Sequence, residues 1–565
     1  MPALSPDRTP FSYFGSAFAI SRLTGKRAPE GKEGLYFRCF HGIPKSAFRL
    51  IPLRDNQEAS VTIAQEPAAL TLTDQTNGKI EFCYDGPQTL RIRGRGGLTL
   101  RLHDTLEGTS LCPMGGNLVT LNVSTIRRYQ IHCLGGRLEY QGLWNSLEDQ
   151  KKEIRVDCVP DEQGTWEVAI DEYWSTWIEP QRRGFDACVK IAREAFDGWL
   201  AGMPKVPNRY AEARAMAGYI DWSCVVNPEG FLGRHAMLMS KNWMTCVWSW
   251  DNCFNAMALI GGHPDLAWDQ LLLMVDHQDQ HGAYPDYVND LLIHYNYCKP
   301  PVHGWTVMEL WRRNPAAATE ERLRTIYTSL LRWTEWWLKH RRLGGRALPC
   351  YLHGYDSGWD NSTMFDRGAP LIAPDAAAFL IVQMDALHDL AAHLALDTQA
   401  RHWRAAADEM TAALISELWK GDRFIARLAL DGTEVECESL VPCMPLILGP
   451  RLPGNVRISL IERIQRFLTD WGLASENPKS PLYKPESYWR GPIWASANCL
   501  AISGLERCGQ AELARTVAQR FCDLCDKSGF SENYDALTGA PYCDPAYTWT
   551  ASCFLVIAEK LRMME

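Results

Sequence analysis

Three adjoining stretches decide the fold: Thr165-Trp-Glu-Val-Ala-Ile170, then Glu179-Pro-Gln-Arg-Arg-Gly184, then Asp186 through Leu200. The first alternates apolar and polar residues, the period of a strand with one face buried. The second is a polar, linker-like segment with proline and glycine as punctuation. The third repeats its apolar residues at intervals of three and four, the period of an amphipathic helix. The chain therefore changes architecture near residue 180.

Upstream of that point the period of two recurs in Lys79-Ile-Glu-Phe-Cys-Tyr84, Thr89-Leu-Arg-Ile-Arg93 and Leu98-Thr-Leu-Arg-Leu102. Asn77-Gly78, Asp85-Gly86-Pro87, Gly94 to Gly97 and Gly135-Gly136 separate these runs, as turns do. Gly94-Arg-Gly-Gly97 opens no helical pattern, so a hairpin is expected there rather than a phosphate loop. Short strands at this spacing predict an antiparallel β-sandwich. Downstream, about twelve segments carry the helical period. They include Asn252 to Ile260, His303 to Trp311, Asp375 to Leu396, Ile493 to Ile502 and Thr548 to Leu561. Paired helices in that number suit a toroid of inner and outer rings better than a four-helix bundle. No fixed-period repeat points to a solenoid. The expected organisation is multidomain: a β-sandwich over 1–178, a linker over 179–185 and an all-α toroid over 186–565.

At 565 residues, 46% of them hydrophobic, the chain can bury a large core. A net charge of −9 without a Lys/Arg-rich run argues against nucleic-acid binding. No apolar stretch reaches the ~18 residues of a membrane span. The N-terminal residues lack a signal-peptide apolar core, so a cytoplasmic location is expected. The 19 cysteines are an odd count scattered through apolar segments, as reduced buried thiols are. Cys522 and Cys525 form one Cys-x-x-Cys with no second pair, and a metal there is not expected. Neither a nucleophile elbow nor a dinucleotide fingerprint is visible. No cofactor and no metal is expected, and the oligomeric state is not legible.

The 22 tryptophans are the compositional anomaly. Most of those after residue 221 sit in short clusters with Asp, Asn, His and Gly. Sugars offer apolar C–H faces and hydroxyl edges, so aromatic rings beside polar groups suit a small carbohydrate as partner. Gly354-Tyr-Asp-Ser-Gly-Trp-Asp-Asn-Ser362 holds Asp356 and Asp360 around Trp359. A carboxyl held against an indole can keep its proton near neutrality, which suits protonation of a glycosidic oxygen. Five further segments share this character. Trp248 to Asn255 contains Trp250 and Asp251, where helix capping and sugar contact are equally open. Gly282 to Asp290 carries Asp286 between Tyr284 and Tyr287. Lys299-Pro-Pro-Val-His-Gly-Trp305 carries His303 and Trp305. Glu486 to Trp494 carries Tyr488, Trp489 and Arg490, the last a candidate for a carboxylate or a sugar hydroxyl. Gly529 to Gly539 carries Glu532. A glycosidase needs one protonated and one ionised carboxyl across the scissile bond. Asp360 next to Trp359 fits the first, and Glu532 next to Asn533 and Tyr534 fits the second.

Residues 240 to 560 resemble the (α/α)6-barrel glycosidases of glycoside hydrolase family 63 and its relatives. These include trehalases, processing α-glucosidase and the mannosylglycerate and glucosylglycerate hydrolases. The resemblance rests on Trp250-Asp251, Gly282 with Pro285-Asp286, Pro300-Pro301 to Trp305, Asp356-Ser-Gly-Trp-Asp-Asn-Ser362, Tyr488-Trp-Arg-Gly-Pro-Ile-Trp494 and Glu532-Asn-Tyr534. It implies an inverting hydrolase of an α-glycosidic bond, with Asp360 as general acid and Glu532 as general base. It implies substrate contacts from Trp250, Asp251, Asp286, His303, Trp305, Asp356, Trp359, Tyr488, Trp489 and Arg490. An α-glucoside is the expected substrate. A mannosylglycerate- or glucosylglycerate-type conjugate is the alternative, with Lys299 or Arg490 as the cation for its carboxylate. Further alternatives are a helical-barrel sugar isomerase or epimerase, which needs histidine-based proton transfer, and a non-catalytic carbohydrate-binding protein.

Overall fold

The computed structural model describes residues 4–104, 109–115, 117–123, 127–147 and 153–565. Backbone contacts divide the chain into two compact units. One holds residues 1–201, 218–227 and 240–245; the other holds 202–217, 228–239 and 246–565.

The first unit is built on two antiparallel sheets. One has the strand order Phe18–Leu23, Gly34–Cys39, Lys45–Arg54, Thr99–Asp104, Arg155–Val159, Arg137–Gln141, with Gln57–Glu58 paired on Lys45–Arg54. The other runs Ser110–Gly115, Leu118–Val123, Arg127–Gly135, Trp166–Tyr173, Thr89–Arg95, Lys79–Tyr84, Ala69–Asp74, Val61–Glu66. One hydrophobic cluster, including Phe18, Phe37, Phe82, Tyr129 and Trp166, forms its core. Asn77-Gly78 and Asp85-Gly86-Pro87 each join paired neighbours, as hairpin turns do.

Gly94 to Gly97 does not form the expected hairpin. The strand before it pairs with Lys79–Tyr84 and Trp166–Tyr173, and the strand after it belongs to the other sheet. Gly96 and Gly97 take φ of +73° and +79° in this crossing. A Cβ on Gly96 would lie 2.9 Å from the Gly78 backbone, and one on Gly94 would lie 2.0 Å from the Trp166 ring. Glycine serves close packing here rather than a two-residue turn.

The helices, in chain order, are α1 (Phe185–Gly202), α2 (Ala211–Cys224), α3 (Asp251–Leu259), α4 (Pro264–Asp276), α5 (His303–Arg313), α6 (Glu320–His340), α7 (Gly354–Ser357), α8 (Pro374–His393), α9 (Asp397–Leu418), α10 (Gly454–Ile464), α11 (Ala495–Arg507), α12 (Ala511–Ser528) and α13 (Thr548–Met564). In the second unit α3, α5, α8, the 3₁₀ segment Val441–Arg451, α11 and α13 pack in that order, and α13 closes back onto α3. This is the inner ring of a toroid. Every residue of α3 is buried, as are most of those of α8, α11 and α13, whereas α5 is buried mainly over its first turns and ends in Arg312 and Arg313. Among the outer helices, α6 and α12 keep one buried stripe and an exposed charged face, as helices facing water on one side must. The fourth inner element is 3₁₀ because Pro442, Pro445 and Pro450 interrupt α-helical hydrogen bonding. The connections also pair into ladders of two or three residues, such as Val247–Trp248, Tyr287–Val288 and Ile293–His294. Among the described residues no helix is long and apolar enough to cross a membrane.

Candidate active site

The motif at 354–362 folds as a single helical turn, α7, closed by Gly358 at φ +69°. A Cβ on Gly354 would stand 1.9 Å from the Asp360 carbonyl oxygen, and one on Gly358 would stand 2.5 Å from the Trp250 ring. Both glycines are therefore dictated by close approach. The Ser357 hydroxyl donates to the Gly354 carbonyl (2.7 Å) and accepts from the Trp359 N–H (3.0 Å). The chain thus doubles back and presents Asp360.

Asp356 and Asp360 have different surroundings. Asp356 is buried; its Oδ1 accepts from the Cys298 N–H (3.0 Å), its Oδ2 accepts from the Leu352 N–H (2.8 Å), and Arg341 lies 3.4 Å away. Those bonds tie α7 to the loop that carries Lys299. The Lys299 ammonium donates to the Tyr355 carbonyl (2.7 Å) and pairs with Asp286 at 3.2 Å. Burial alone would lower its pKa, but Asp286, Asp360 and Asp251 together raise it, so Lys299 is a cation.

Around this cation stand three acids. Burial pushes Asp251, at the start of α3, up to about 8 against the pull of Lys299. Burial also raises Asp286 and Asp360 above the ordinary carboxylate range, again opposed by Lys299. Apart from its own backbone N–H, no group among the described residues donates a hydrogen bond to the Asp360 carboxyl.

Glu532 is held by a different set of residues. The Tyr488 hydroxyl donates to its Oε1 (2.7 Å), and the Asp544 N–H approaches its Oε2 (3.4 Å). Burial pushes its pKa up to about 7, opposed by the Tyr488 hydrogen bond and assisted by the charges of Asp544 and Asp360. Glu532 and Asp360 thus share one electrostatic cluster. Tyr547 belongs to it as well: after burial, its largest influences are Asp251, Glu532, Tyr488 and Asp544. Tyr547 carries no motif, although Asp544-Pro-Ala-Tyr-Thr-Trp549 has the same acid-and-aromatic makeup as the other segments.

Tyr488 holds a φ of +54°, a strained setting for a bulky residue. Its neighbours fix it there. The Trp494 indole donates to the Tyr488 carbonyl (3.0 Å), and the Trp489 N–H donates to the Asn361 side chain (2.8 Å). Arg490 donates from Nε to the Asn361 carbonyl (2.9 Å) and grips the Asp366 carboxylate with both terminal nitrogens. Its fork is engaged in joining this loop to the 361–366 segment.

The tryptophans frame the carboxyl groups. Trp359 meets Trp489 at 4.5 Å, Trp489 stacks on Trp494 at 4.0 Å and 4°, and Trp549 bridges Trp494 (5.7 Å) and Trp250 (5.5 Å). Trp250, Trp359 and Trp489 are buried, Trp359 against Trp489 and Trp250 against Phe254 and Trp549. His303 and Trp305 sit in the packed interior of the ring. His303 lies against Tyr284 at 4.9 Å, and burial drives it down to about 3, so it is neutral. Trp305 donates to Ser503 of α11 (3.3 Å) and packs near Phe254 at 6.0 Å. Two other acids of the same segments are placed differently: Asp356 is engaged by two backbone N–H groups, and Glu486 is exposed.

Residues 244–550 match the family profile described as a mannosylglycerate hydrolase MGH1-like glycoside hydrolase domain. The chain belongs to that glycoside hydrolase family. Curated relatives include mannosylglycerate hydrolase MGH1 of Selaginella moellendorffii, 23% identical, covering 54% of this chain and 79% of that protein. The mannosylglycerate hydrolase of Thermus thermophilus is 22% identical over 54% of this chain and 93% of its own. The glucosylglycerate hydrolase of Mycolicibacterium hassiacum is 23% identical over 46% of this chain and 74% of its own. Among solved structures, a GH63 mannosylglycerate hydrolase of Thermus thermophilus in complex with Tris and D-glycerate aligns with TM-score 0.53 at 21% identity, over 61% of this chain and 99% of that one. A bacterial glucoamylase complexed with acarbose aligns with TM-score 0.64 at 10% identity, over 100% and 95% of the two chains. At these identities the solved structures speak for the fold, an N-terminal β-sheet region followed by an (α/α)6 glycosidase toroid. The matched span 244–550 contains every acid of the cluster described above.

Proposed function

We propose that this glycoside hydrolase family member cleaves an α-glycosidic bond with inversion, using Asp360 as general acid and Glu532 as general base. The carrying observation is the asymmetry of their hydrogen-bond donors. Two donors from other residues face the oxygens of Glu532, which favours its ionised form and orients it toward water. Asp360 receives no donor from another residue while burial raises its pKa, so its protonated form is favoured. Asp251, Asp286 and Lys299 supply hydrogen-bonding groups for sugar hydroxyls beside them.

The names of the curated relatives favour a mannosyl- or glucosylglycerate as substrate. One observation favours a neutral α-glucoside as the second reading. The two cations considered for a glycerate carboxylate are engaged already, Lys299 with Asp286 and Arg490 with Asp366.

The test is the configuration of the first-formed sugar, followed by NMR on a panel of glycosylglycerates and α-linked disaccharides. Inversion is expected, and retention overturns the proposal. Isomerisation without hydrolysis would select the isomerase class, and binding without turnover a carbohydrate-binding protein.

The pH profile offers a second check. The Tyr488 hydroxyl stabilises ionised Glu532, so Tyr488→Phe raises the pKa of Glu532 from its value of about 7. A base must be ionised to act, so the acidic limb of kcat/KM moves to higher pH in the variant. An unmoved acidic limb would remove Glu532 from the base role.

A further inference from the structure

The three short strands Val247–Trp248, Tyr287–Val288 and Ile293–His294 stand in register, with Trp248 opposite Tyr287 and Tyr287 opposite His294. Side chains on a strand alternate between faces. One face of this small sheet therefore carries Val247, Val288 and Ile293, and the other carries three rings in a row. Val247 and Val288 are fully buried and anchor the sheet. The rings are half-buried. Trp248 and Tyr287 lie 5.2 Å apart, and Tyr287 stacks on His294 at 4.6 Å with 5° between planes. The row continues through Tyr297, 6.4 Å from His294, to His353 (4.9 Å) and Tyr355 (5.0 Å). His353 and Tyr355 are exposed.

Cross-strand aromatic pairs stabilise sheets, and that alone would account for Trp248 and Tyr287. It does not account for the continuation. Tyr297, His353 and Tyr355 lie outside the ladder, yet they extend its line to the segment that presents Asp360. The strip meets the acid cluster at two points. His294 Nδ1 lies 3.8 Å from Asp286 Oδ2, and the Tyr355 carbonyl holds the Lys299 ammonium. His353 opens α7, its Nδ1 accepting from the Tyr355 N–H at 3.1 Å. Glu532 is bordered instead by Tyr488, Asp544 and Tyr547. In an inverting glycosidase the acid stands by the departing oxygen and the base by the opposite face of the sugar. A strip continuous with the acid's wall therefore lies on the leaving-group side.

We propose that Trp248, Tyr287, His294, Tyr297, His353 and Tyr355 form a stacking platform for a pyranose ring of the leaving group. The inference rests on the assignment of Asp360 as the acid. It deepens that reading by naming a substrate class: glycosides whose leaving group is itself a neutral sugar. Rings offer flat faces to the C–H face of a pyranose, and the strip holds neither lysine nor arginine to attract an anionic leaving group.

The test uses the 565-residue chain with Tyr297→Ala, which removes the half-exposed ring joining the ladder to His353 and Tyr355, and Tyr297→Phe as the conservative control. In the first arm, α-linked glucose and mannose disaccharides and the matching monosaccharides are titrated calorimetrically into the Glu532→Gln protein, with and without each Tyr297 change. The disaccharide of the preferred sugar should bind more tightly than its monosaccharide. Tyr297→Ala should shrink that advantage by about tenfold, and Tyr297→Phe should preserve it. In the second arm, the ratio of kcat/KM for the disaccharide to that for the corresponding α-glycosyl fluoride should fall by a similar factor in Tyr297→Ala. Fluoride is too small to reach the platform. No disaccharide advantage, or equal weakening of mono- and disaccharide, overturns the platform. A wild-type protein that turns over no fluoride sinks the catalytic assignment instead, and the calorimetric arm then judges the strip alone.

Discussion

Glu532→Gln is expected to lower kcat/KM by about 10²- to 10⁴-fold on glycosyl fluorides and on glycosides with poor leaving groups alike. Every substrate of an inverting enzyme needs an activated water, whatever its leaving group. The exchange is nearly isosteric. The amide oxygen of glutamine can still accept from Tyr488, which donates to Oε1 at 2.7 Å in the parent protein, so the fold is preserved and an unchanged thermal midpoint is the control. What disappears is the negative charge and the capacity to take a proton. Steady-state kinetics on a fluoride and a disaccharide would measure the loss. Azide adds a discriminating outcome. If azide restores turnover and yields a glycosyl azide of retained configuration, the reaction runs through two displacements with Glu532 as acid/base rather than as the base of a single one, and the inverting assignment falls. Near wild-type turnover would transfer the base role elsewhere, and Asp251, buried and pushed up to about 8, is the next acid of the cluster to examine.

The architecture was legible because both periods are local properties of the chain. The runs around Lys79–Tyr84 and Thr89–Arg95 show strands directly, and the stretch after Asp186 shows a helix. What was not legible depended on long-range packing. Gly94 to Gly97 has the composition of a turn, and only the pairing of its flanking strands reveals a crossing between sheets. Val441–Arg451 supplies the fourth element of the inner ring, but its prolines mask it from a search for the helical period. At the site, the acid-and-aromatic segments could be recognised from composition, whereas their partners could not. Asp356 and Asp360 look equivalent in the sequence. One is engaged by two backbone N–H groups of other residues and the other is not, a difference made by Cys298 and Leu352. Arg490 looked like a free fork for a carboxylate, but Asp366 fills it. Lys299 emerges as the hub of three acids, which no spacing rule announces, since Asp251, Asp286 and Asp360 converge on it only through the ring closure of the inner helices.

Asp360→Asn separates proton donation from the rest of the machinery. The aglycone sugar of a disaccharide leaves as an alkoxide unless the glycosidic oxygen is protonated, so the variant should lose about 10²- to 10⁴-fold in kcat on such substrates. Fluoride departs with little need of a proton, so the loss on a glycosyl fluoride should stay within about tenfold. The pH profile on the fluoride should change in a defined sense. The basic limb of the parent enzyme reports loss of the acid's proton, and it should vanish when asparagine cannot titrate. The acidic limb should stay where it is in the parent, because Asp360 is already protonated there and carries no charge that could raise the pKa of Glu532. The neighbours constrain the outcome as well. Lys299 loses one of the three carboxylates that keep it charged, but Asp286 still pairs with it at 3.2 Å, so the cluster retains its cation. Equal losses on disaccharide and fluoride would mean that Asp360 acts on binding or on water rather than on the leaving group. In that case the acid would have to be sought among Asp251 and Asp286, whose carboxyls are also raised by burial beside the same lysine.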